Sequence, residues 1–364
     1  MQFSQDGYWK TTDYILLRLT AEISQNAIQA NHSFFGAAVA LKIRGNRNGS
    51  TVLTTINYGA FTPTATYSVA QQLGFFAAYD LDVVYTQVPN STYAYAQTLN
   101  GAFDVLTGTI DNAVNLRLNS GKELTVLGQL DEGPDLVLAS VPNITSVEDL
   151  KGKPLIVDSP VSGYAYLLQK VLSEYGLYLS NGDYYFMTVG GTPLRYADLV
   201  AGVLPNGTEV YATMLLYPFT AEGKVLDASE KPNILATVSE FVNPVSSSAF
   251  TTSQAALSDP TQVDKLTRFI SAMYAANLYL LNSTNQACTT SAIATQLGVT
   301  AEVAALEYTS ATSSSSGEIS VGSNFTVSST GLINVIDVRQ EFGGSAVYHR
   351  RTISWMLSLR ELEN

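Results

Sequence analysis

The sequence predicts an α/β fold of two lobes, each built on a parallel sheet with crossover helices. Residues 74–118 alternate helical and strand patterns at the spacing typical of such sheets. Residues 146–238 repeat this alternation after a proline-containing segment, which indicates a second lobe. A Thr-Gly-Thr turn at 107–109 follows a strand. Sheets of this class bind ligands beyond the carboxyl ends of their strands, so the sequence also predicts a small-molecule site.

Lobe one is expected to comprise residues 51–141 and 246–343. Its strands are apolar or alternating runs bounded by turn residues, and we expect them at 51–58, 81–88, 103–106, 124–130, 135–141 and 249–252. Its helices follow apolar faces between capping and breaking residues, and we expect them at 67–77, 91–100, 111–118, 262–281, 290–297, 300–308 and 331–342.

Lobe two is expected to comprise residues 142–245. Ser146 caps a short helix, with Asp149 three residues later. Strands are expected at 155–157, 184–189, 209–214 and 233–238, and helices at 164–175 and 192–203. Residues 1–50 and 344–364 show none of this pattern, so we expect an appended, poorly ordered N-terminal segment and an appended C-terminal tail.

Composition narrows the classes of function. The net charge of −12 disfavours nucleic acid and anionic membrane surfaces as partners. No apolar run approaches the ~18 residues of a membrane span. Cys288 is the single cysteine of the chain, so neither an internal disulfide nor a cysteine-based metal site is expected. We expect no metal and no cofactor.

Localisation stays open at the level of sequence. The chain has seven Asn-x-Ser/Thr sequons, a pattern that fits a secreted protein. Its first residues lack the basic start and apolar run of a signal peptide. The hypothesis that reconciles these observations is a secreted protein whose leader is missing from this chain.

Four motifs in a fixed order carry a resemblance to a known family. They are Gly74-Phe75-Phe76 with the strand that follows, Gly101-x-x-Asp104-Val105, the Asp-Leu-Lys-Gly-Lys run at 149–153, and Asp259-Pro260 with its helix. Together they resemble type II periplasmic binding proteins over about residues 51–343. The branch in question binds alkanesulfonates, taurine and thiamine-pyrimidine precursors, and it includes the fungal pyrimidine synthases of thiamine biosynthesis. The resemblance implies two lobes joined by two crossovers.

Strand-end loops of two such lobes line the cleft between them. In this chain those loops are rich in hydroxyls, glycines and aromatic residues. Hydroxyls and helix-start N–H groups can hydrogen-bond a polar ligand, and tyrosines can stack on a planar ring. The expected ligand-binding residues are Tyr58, Thr62, Thr107, Gly108, Thr109, Asp111, Ser159, Ser162, Tyr164, Gly191, Thr192 and Tyr217.

The charges of these loops predict the class of ligand. None of the loops contains arginine or lysine, whereas Asp111, Asp131, Glu132 and Asp158 lie in or near them. We therefore expect a planar, neutral or cationic heterocycle, such as a pyrimidine-like compound. The alternative is a sulfonate-type anion held by backbone N–H groups.

A binding protein is favoured over an enzyme. The pyrimidine synthases carry a cysteine-rich motif, an active-site histidine and a lysine that holds pyridoxal phosphate. This chain has one cysteine, and its two histidines, His32 and His349, lie outside the family-like region. No catalytic residue is predicted. A lyase or synthase on the same scaffold and a degenerate lobe pair used for protein interaction remain alternatives, and no transporter or other protein partner is predicted.

Overall fold

The computed structural model describes residues 52–131, 133, 135–313, 317 and 325–343. The predictions for residues 1–50 and 344–364 lie outside the described residues, as do His32, His349 and Glu132.

Strands and helices alternate along most of the described chain. The strands are β1 Thr54–Ala60, β2 Leu81–Gln87, β3 Val105–Thr109, β4 Leu124–Gln129, β5 Val137–Ser140, β6 Pro154–Val157, β7 Tyr185–Thr188, β8 Ala212–Leu215, β9 Asn233–Thr237 and β10 Ser248–Ser253. The helices are α1 Ala65–Gln72, α2 Phe75–Ala78, α3 Ser91–Leu99, α4 Ile110–Ser120, α5 Gly163–Glu174, α6 Thr192–Ala201, α7 Phe219–Lys224, α8 Pro260–Leu281, α9 Gln286–Leu297, α10 Ala301–Ala311 and α11 Ser329–Glu341.

The strands form two sheets with the same arrangement, which confirms the predicted two-lobe α/β fold. The first sheet has the order β2-β1-β3-β10-β4 and the second the order β7-β6-β8-β5-β9. Each sheet is mixed and not purely parallel, because β10 and β5 run antiparallel to both of their neighbours. Each of these two strands is the first to follow a crossover between the lobes. It enters its sheet from the cleft side and therefore runs opposite to the strands that end there.

The position of β5 shifts the first crossover relative to the sequence prediction. The sequence places a strand at 135–141 in lobe one, but β5 pairs with β8 and β9 of the second sheet. The first crossover therefore lies between β4 and β5, and the second lies between β9 and β10. An apolar run alone does not determine which sheet a strand joins, because either sheet buries it equally well.

Several predicted elements change at their ends. Gly74 adopts φ 77°, a left-handed conformation that splits the predicted helix 67–77 into α1 and α2. The short helix predicted after Ser146 is a single turn, Glu148–Leu150. Its capping pattern is nevertheless present, since Ser146 N–H donates to the Asp149 carboxylate at 3.0 Å and Asp149 N–H donates to Ser146 Oγ at 3.3 Å.

The two lobes have differently composed cores. Lobe one is centred on packed aromatic rings, among them Tyr58, Tyr67 and a stacked pair, Phe76 and Phe269, whose centroids lie 5.5 Å apart. The lobe-two core is mainly aliphatic. It includes Leu332 and other apolar residues of α11, although the sequence assigns this helix to lobe one. Helix α11 contacts α5 of lobe two and α4 of lobe one.

No helix among the described residues is both long and apolar enough to cross a membrane.

Candidate functional site

A cavity of about 50 Å³ lies between the lobes, where strand-end loops from both sheets meet. It has room for a few waters or one small ligand. The cavity is lined by Ala60, Phe61, Thr62, Thr64, Ser91, Thr107, Gly108, Thr109, Asp158, Ser162, Tyr164, Thr192, Arg195, Leu216, Tyr217 and Ser248.

Five helices, α1, α3, α4, α5 and α6, begin at or directly after residues that line the cavity. Three of their N-caps use side chains, because Thr64 accepts a hydrogen bond from Tyr67 N–H, Asn90 accepts one from Tyr93 N–H, and Ser162 accepts one from Ala165 N–H. Helix N-termini present unpaired N–H groups and partial positive charge. The hydroxyl groups and these helix starts together favour a ligand with hydrogen-bond acceptors.

Arg195 places a guanidinium group at the cavity wall, although its side chain is only 2% exposed. Nε donates to Gly190 O at 3.0 Å, and Nη1 donates to Thr213 Oγ1 at 2.5 Å and to Met214 O at 2.6 Å. Nη2 donates to Thr192 Oγ1 at 2.9 Å. An arginine has five N–H donors, so one donor on Nη2 has no acceptor among the described residues.

The charge of Arg195 is incompletely balanced by the protein. Among the described residues it forms no salt bridge. Burial lowers its pKa, and the nearby Asp158 and Tyr164 oppose that fall. A guanidinium nevertheless remains protonated in proteins. The cavity wall therefore holds a desolvated positive charge with one N–H donor available to a ligand.

Asp158 contributes a second charge to the cavity and also joins the two lobes. The side chain is buried, and its Oδ2 accepts hydrogen bonds from the N–H and the hydroxyl of Ser91 in lobe one. Its Oδ1 has no donor among the described residues. A ligand group with an N–H or O–H can therefore pair with this oxygen.

The lobes meet directly around the cavity. Gly191 N–H of lobe two donates to Pro89 O of lobe one at 2.7 Å, and Gly163 N–H donates to Asn112 Oδ1 at 2.9 Å. The structure is therefore that of lobes closed on each other.

Two tyrosines form part of the cavity wall and are fixed by hydrogen bonds. Tyr217 donates its hydroxyl to the buried Asp131 at 2.7 Å. The Tyr164 hydroxyl lies 3.1 Å from Ser247 Oγ. Burial, with a contribution from Asp131, raises the pKa of Tyr164 to about 12. Tyr164 is thus a neutral hydroxyl at physiological pH, able to donate to a ligand or accept from it.

The structure brings eight of the twelve sequence-predicted residues to the cavity, namely Thr62, Thr107, Gly108, Thr109, Ser162, Tyr164, Thr192 and Tyr217. The other four lie outside it. Tyr58 is fully buried in the aromatic core and donates to Thr107 Oγ1 at 2.8 Å, so it supports a lining residue from behind. Asp111 forms a buried ion pair with Arg339 at 2.6 Å.

The remaining two predicted residues, Ser159 and Gly191, contact protein groups outside the cavity. Ser159 Oγ accepts from Val161 N–H at 3.4 Å within its own loop. Gly191 lies against lobe one, where an added Cβ would come within 3.2 Å of Phe61 and 3.4 Å of Pro89 O.

Arg195 is the main residue that sequence reasoning missed. The sequence-based prediction considers arginine and lysine only in the strand-end loops, whereas Arg195 lines the cavity from the first turn of α6. The available signal was the spacing of Thr192 and Arg195, since residues three apart share one helix face. The predicted carboxylates also differ in role. Asp158 lines the cavity, but Asp111 and Asp131 are engaged behind it.

The described residues hold no cluster of His, Cys, Asp and Glu side chains that could bind a metal ion. The single cysteine, Cys288, is exposed on α9 and does not line the cavity.

Solved structures share this fold. The nitrate-binding protein NrtA of Synechocystis PCC 6803 has a TM-score of 0.64 at 13% identity, covering 84% of this chain and 86% of that one. The Candida albicans CA3427 gene product, described as having the generic periplasmic binding protein fold, has a TM-score of 0.63 at 19% identity, covering 84% and 95%. The alkanesulfonate-binding protein SsuA of Xanthomonas axonopodis pv. citri has a TM-score of 0.57 at 17% identity, covering 70% and 83%. At these identities the likeness shows the fold alone.

The family is shown by sequence. A comparison with curated proteins gives no match. Residues 62–287, more than half of the chain, match the model of the family described as "NMT1/THI5 like". This agrees with the resemblance carried by the four motifs and with the periplasmic binding protein fold of the solved structures. The chain belongs to the NMT1/THI5-like family.

Proposed function

We propose that the protein reversibly binds a small solute whose anionic or electron-rich group pairs with Arg195, between lobes that close around it. The observation that carries this proposal is the buried Arg195 guanidinium with one N–H donor left for the cavity. A buried N–H donor without an acceptor is unfavourable. A ligand acceptor on Nη2 would supply a charge-assisted hydrogen bond in a desolvated setting, where such bonds are strong.

Two structural neighbours support an anionic group on the ligand. SsuA is described as an alkanesulfonate-binding protein and NrtA as a nitrate-binding protein. The hydroxyls and helix N-termini around the cavity add donors of the kind that hold such anions. The sequence-based objection to an anion, the absence of arginine, no longer applies.

A planar, neutral or cationic heterocycle, such as a pyrimidine-like compound, is the second candidate. Asp158 favours it, because its Oδ1 in the cavity wall could accept from an amino or amidine group. Tyr164 and Tyr217 offer ring surfaces. An amino-substituted heterocycle with a ring acceptor would use Asp158 and Arg195 together.

Thermal-shift screening tests the proposal and separates the candidates. Nitrate, acetate and 1-propanesulfonate represent the first class, and aminopyrimidines represent the second. A ligand at a hundred times its dissociation constant adds ~2.7 kcal/mol of stability, a readily measured shift. We expect Arg195→Gln to abolish shifts by the anions and Asp158→Asn to abolish shifts by amino-bearing compounds. The proposal fails if no member of either class stabilises the wild-type protein.

A further inference from the structure

Arg339, near the end of α11, contacts both lobes from a position outside the cavity. In lobe one its Nε donates to both oxygens of Asp111 at 2.9 and 3.0 Å, and its Nη2 donates to Asp111 Oδ2 at 2.6 Å and Asn112 Oδ1 at 3.0 Å. In lobe two Nη2 donates to Val161 O at 3.2 Å, and the guanidinium carbon lies 4.4 Å from the ring centre of Tyr166. The side chains of Arg339 and Asp111 are each 3% exposed.

The lobes are in close contact at this same point. Asn112 Oδ1 accepts from Gly163 N–H of lobe two as well as from Arg339. A Cβ added at Gly163 would lie 2.7 Å from Thr109 Cγ2 and 2.8 Å from Asp111 Oδ2. These distances are shorter than van der Waals contact, so this approach of the lobes depends on glycine.

Opening of the lobes cannot preserve all of these contacts. If α11 moves with lobe one, Arg339 loses Val161 O and Tyr166. If α11 moves with lobe two, the buried Asp111–Arg339 pair separates and leaves two poorly solvated charges, which is strongly unfavourable. In either case, only the closed arrangement lets Nε and Nη2 of Arg339 keep all of their acceptors.

We propose that Arg339 is a clamp that stabilises the closed arrangement of the lobes independently of ligand. Its contacts are all with protein groups, so this inference goes beyond the proposed function and does not depend on the identity of the solute. The proposal gives α11 a role in setting the fraction of molecules in which the cavity is open.

Distances between spin labels in the ligand-free full chain test the clamp. One label uses Cys288, the single cysteine, which is exposed on α9 of lobe one. The other uses Ala197→Cys at an exposed position on α6 of lobe two. In this doubly labelled background, Asp111→Asn with Arg339→Gln removes the ion pair without leaving one charge unpaired. We expect a short distance between the labels in the parent protein. In the variant, the distribution of label distances should shift towards longer values.

The matched control is a second ion pair that lies within lobe one. Lys265 Nζ is 2.6 Å from Asp104 Oδ1, and both side chains are 11% exposed. Asp104→Asn with Lys265→Gln should weaken the fold and leave the label distance unchanged. The clamp is refuted if the Asp111/Arg339 variant unfolds more easily but keeps the parental distance distribution.

A second variant tests the same contact if the first does not fold. Gly163→Ala should lengthen the label distance, because its Cβ cannot fit between the closed lobes. Gly223→Ala is the control, since a Cβ there meets Pro232 at an ordinary 3.4 Å within lobe two. Equal distributions for the two glycine variants would also overturn the proposal.

Discussion

A guanidinium group in a protein interior needs acceptors for its five N–H donors. Arg195 obtains four of them from Gly190, Thr192, Thr213 and Met214, all in lobe two. Lobe two therefore holds this side chain in place before any ligand binds. A preformed donor of this kind lowers the entropic cost of binding.

Tyr217 illustrates how a cavity residue also contributes to stability. Tyr217→Phe removes the hydroxyl that donates to the fully buried Asp131. An unsatisfied buried acceptor costs about 1–3 kcal/mol, so we expect the free energy of unfolding to fall by that amount in urea denaturation. Tyr178→Phe is the control, because Tyr178 is 41% exposed. Equal stability of the two variants would contradict the role of this hydrogen bond.

The pH dependence of stability shows whether burial or hydrogen bonding dominates the pKa of Asp131. Burial raises the pKa of Asp131 above its ordinary 3.8, and donors from Tyr217, Ser248 and Gly133 oppose that rise. With a raised pKa the folded state binds this proton more tightly than the unfolded state does. Protonated Asp131 then contributes its full stabilisation below about pH 3.8, the pKa of the unfolded state. This stabilisation is lost as the pH rises through the pKa of Asp131 in the folded state.

The measurement compares the wild type with Asp131→Asn in urea denaturation across the acidic and neutral range. We expect the stability of the wild type relative to the variant to decrease as the pH rises. An increase would mean that the hydrogen bonds outweigh burial and lower the pKa.

At the scale of elements, the capping of α11 affects the stability of the protein. Ser328 Oγ accepts from Gly331 N–H at 3.1 Å at the start of this helix. Ser328→Ala should lower the free energy of unfolding by ~1 kcal/mol, the typical value of an N-cap. Ser329→Ala, one residue later and exposed, should change it little. Thermal or urea denaturation of the two variants measures this difference. Equal losses of stability would exclude the loss of the N-cap as the cause.

The sequence predicts most elements of this protein correctly, and its errors have local causes. Hydrophobic period and caps place α5 and α8 within a few residues of their observed bounds. The helix around Gly74 is predicted as continuous because its apolar face continues through the glycine, whereas the backbone there is left-handed. The strand β5 is assigned to the wrong lobe because pairing partners depend on the path of the crossover, which local sequence does not encode.

At the scale of the whole molecule, the site depends on how two similar lobes face each other. The strand-end loops could be predicted, since the carboxyl ends of parallel strands share one edge of a sheet. The sequence could not exclude Tyr58 and Asp111 from the site, because the direction of each side chain decides whether it lines the cavity or packs in the core. Arg195 was missed for the complementary reason, since a long side chain reaches the cavity from within a helix.

The central claim is that Arg195 binds an acceptor group of the solute in the cavity. Calorimetric titration of matched arginine variants tests this claim most directly. The ligand is the compound of the screen that stabilises the wild type most. Arg195→Gln removes a charged hydrogen bond worth about 1.5–3 kcal/mol, so affinity should fall by roughly tenfold or more. Arg117→Gln, at a partly exposed position on α4 outside the cavity, should bind like the wild type. Equal affinities for the Arg195 variant and the wild type would contradict the proposed site.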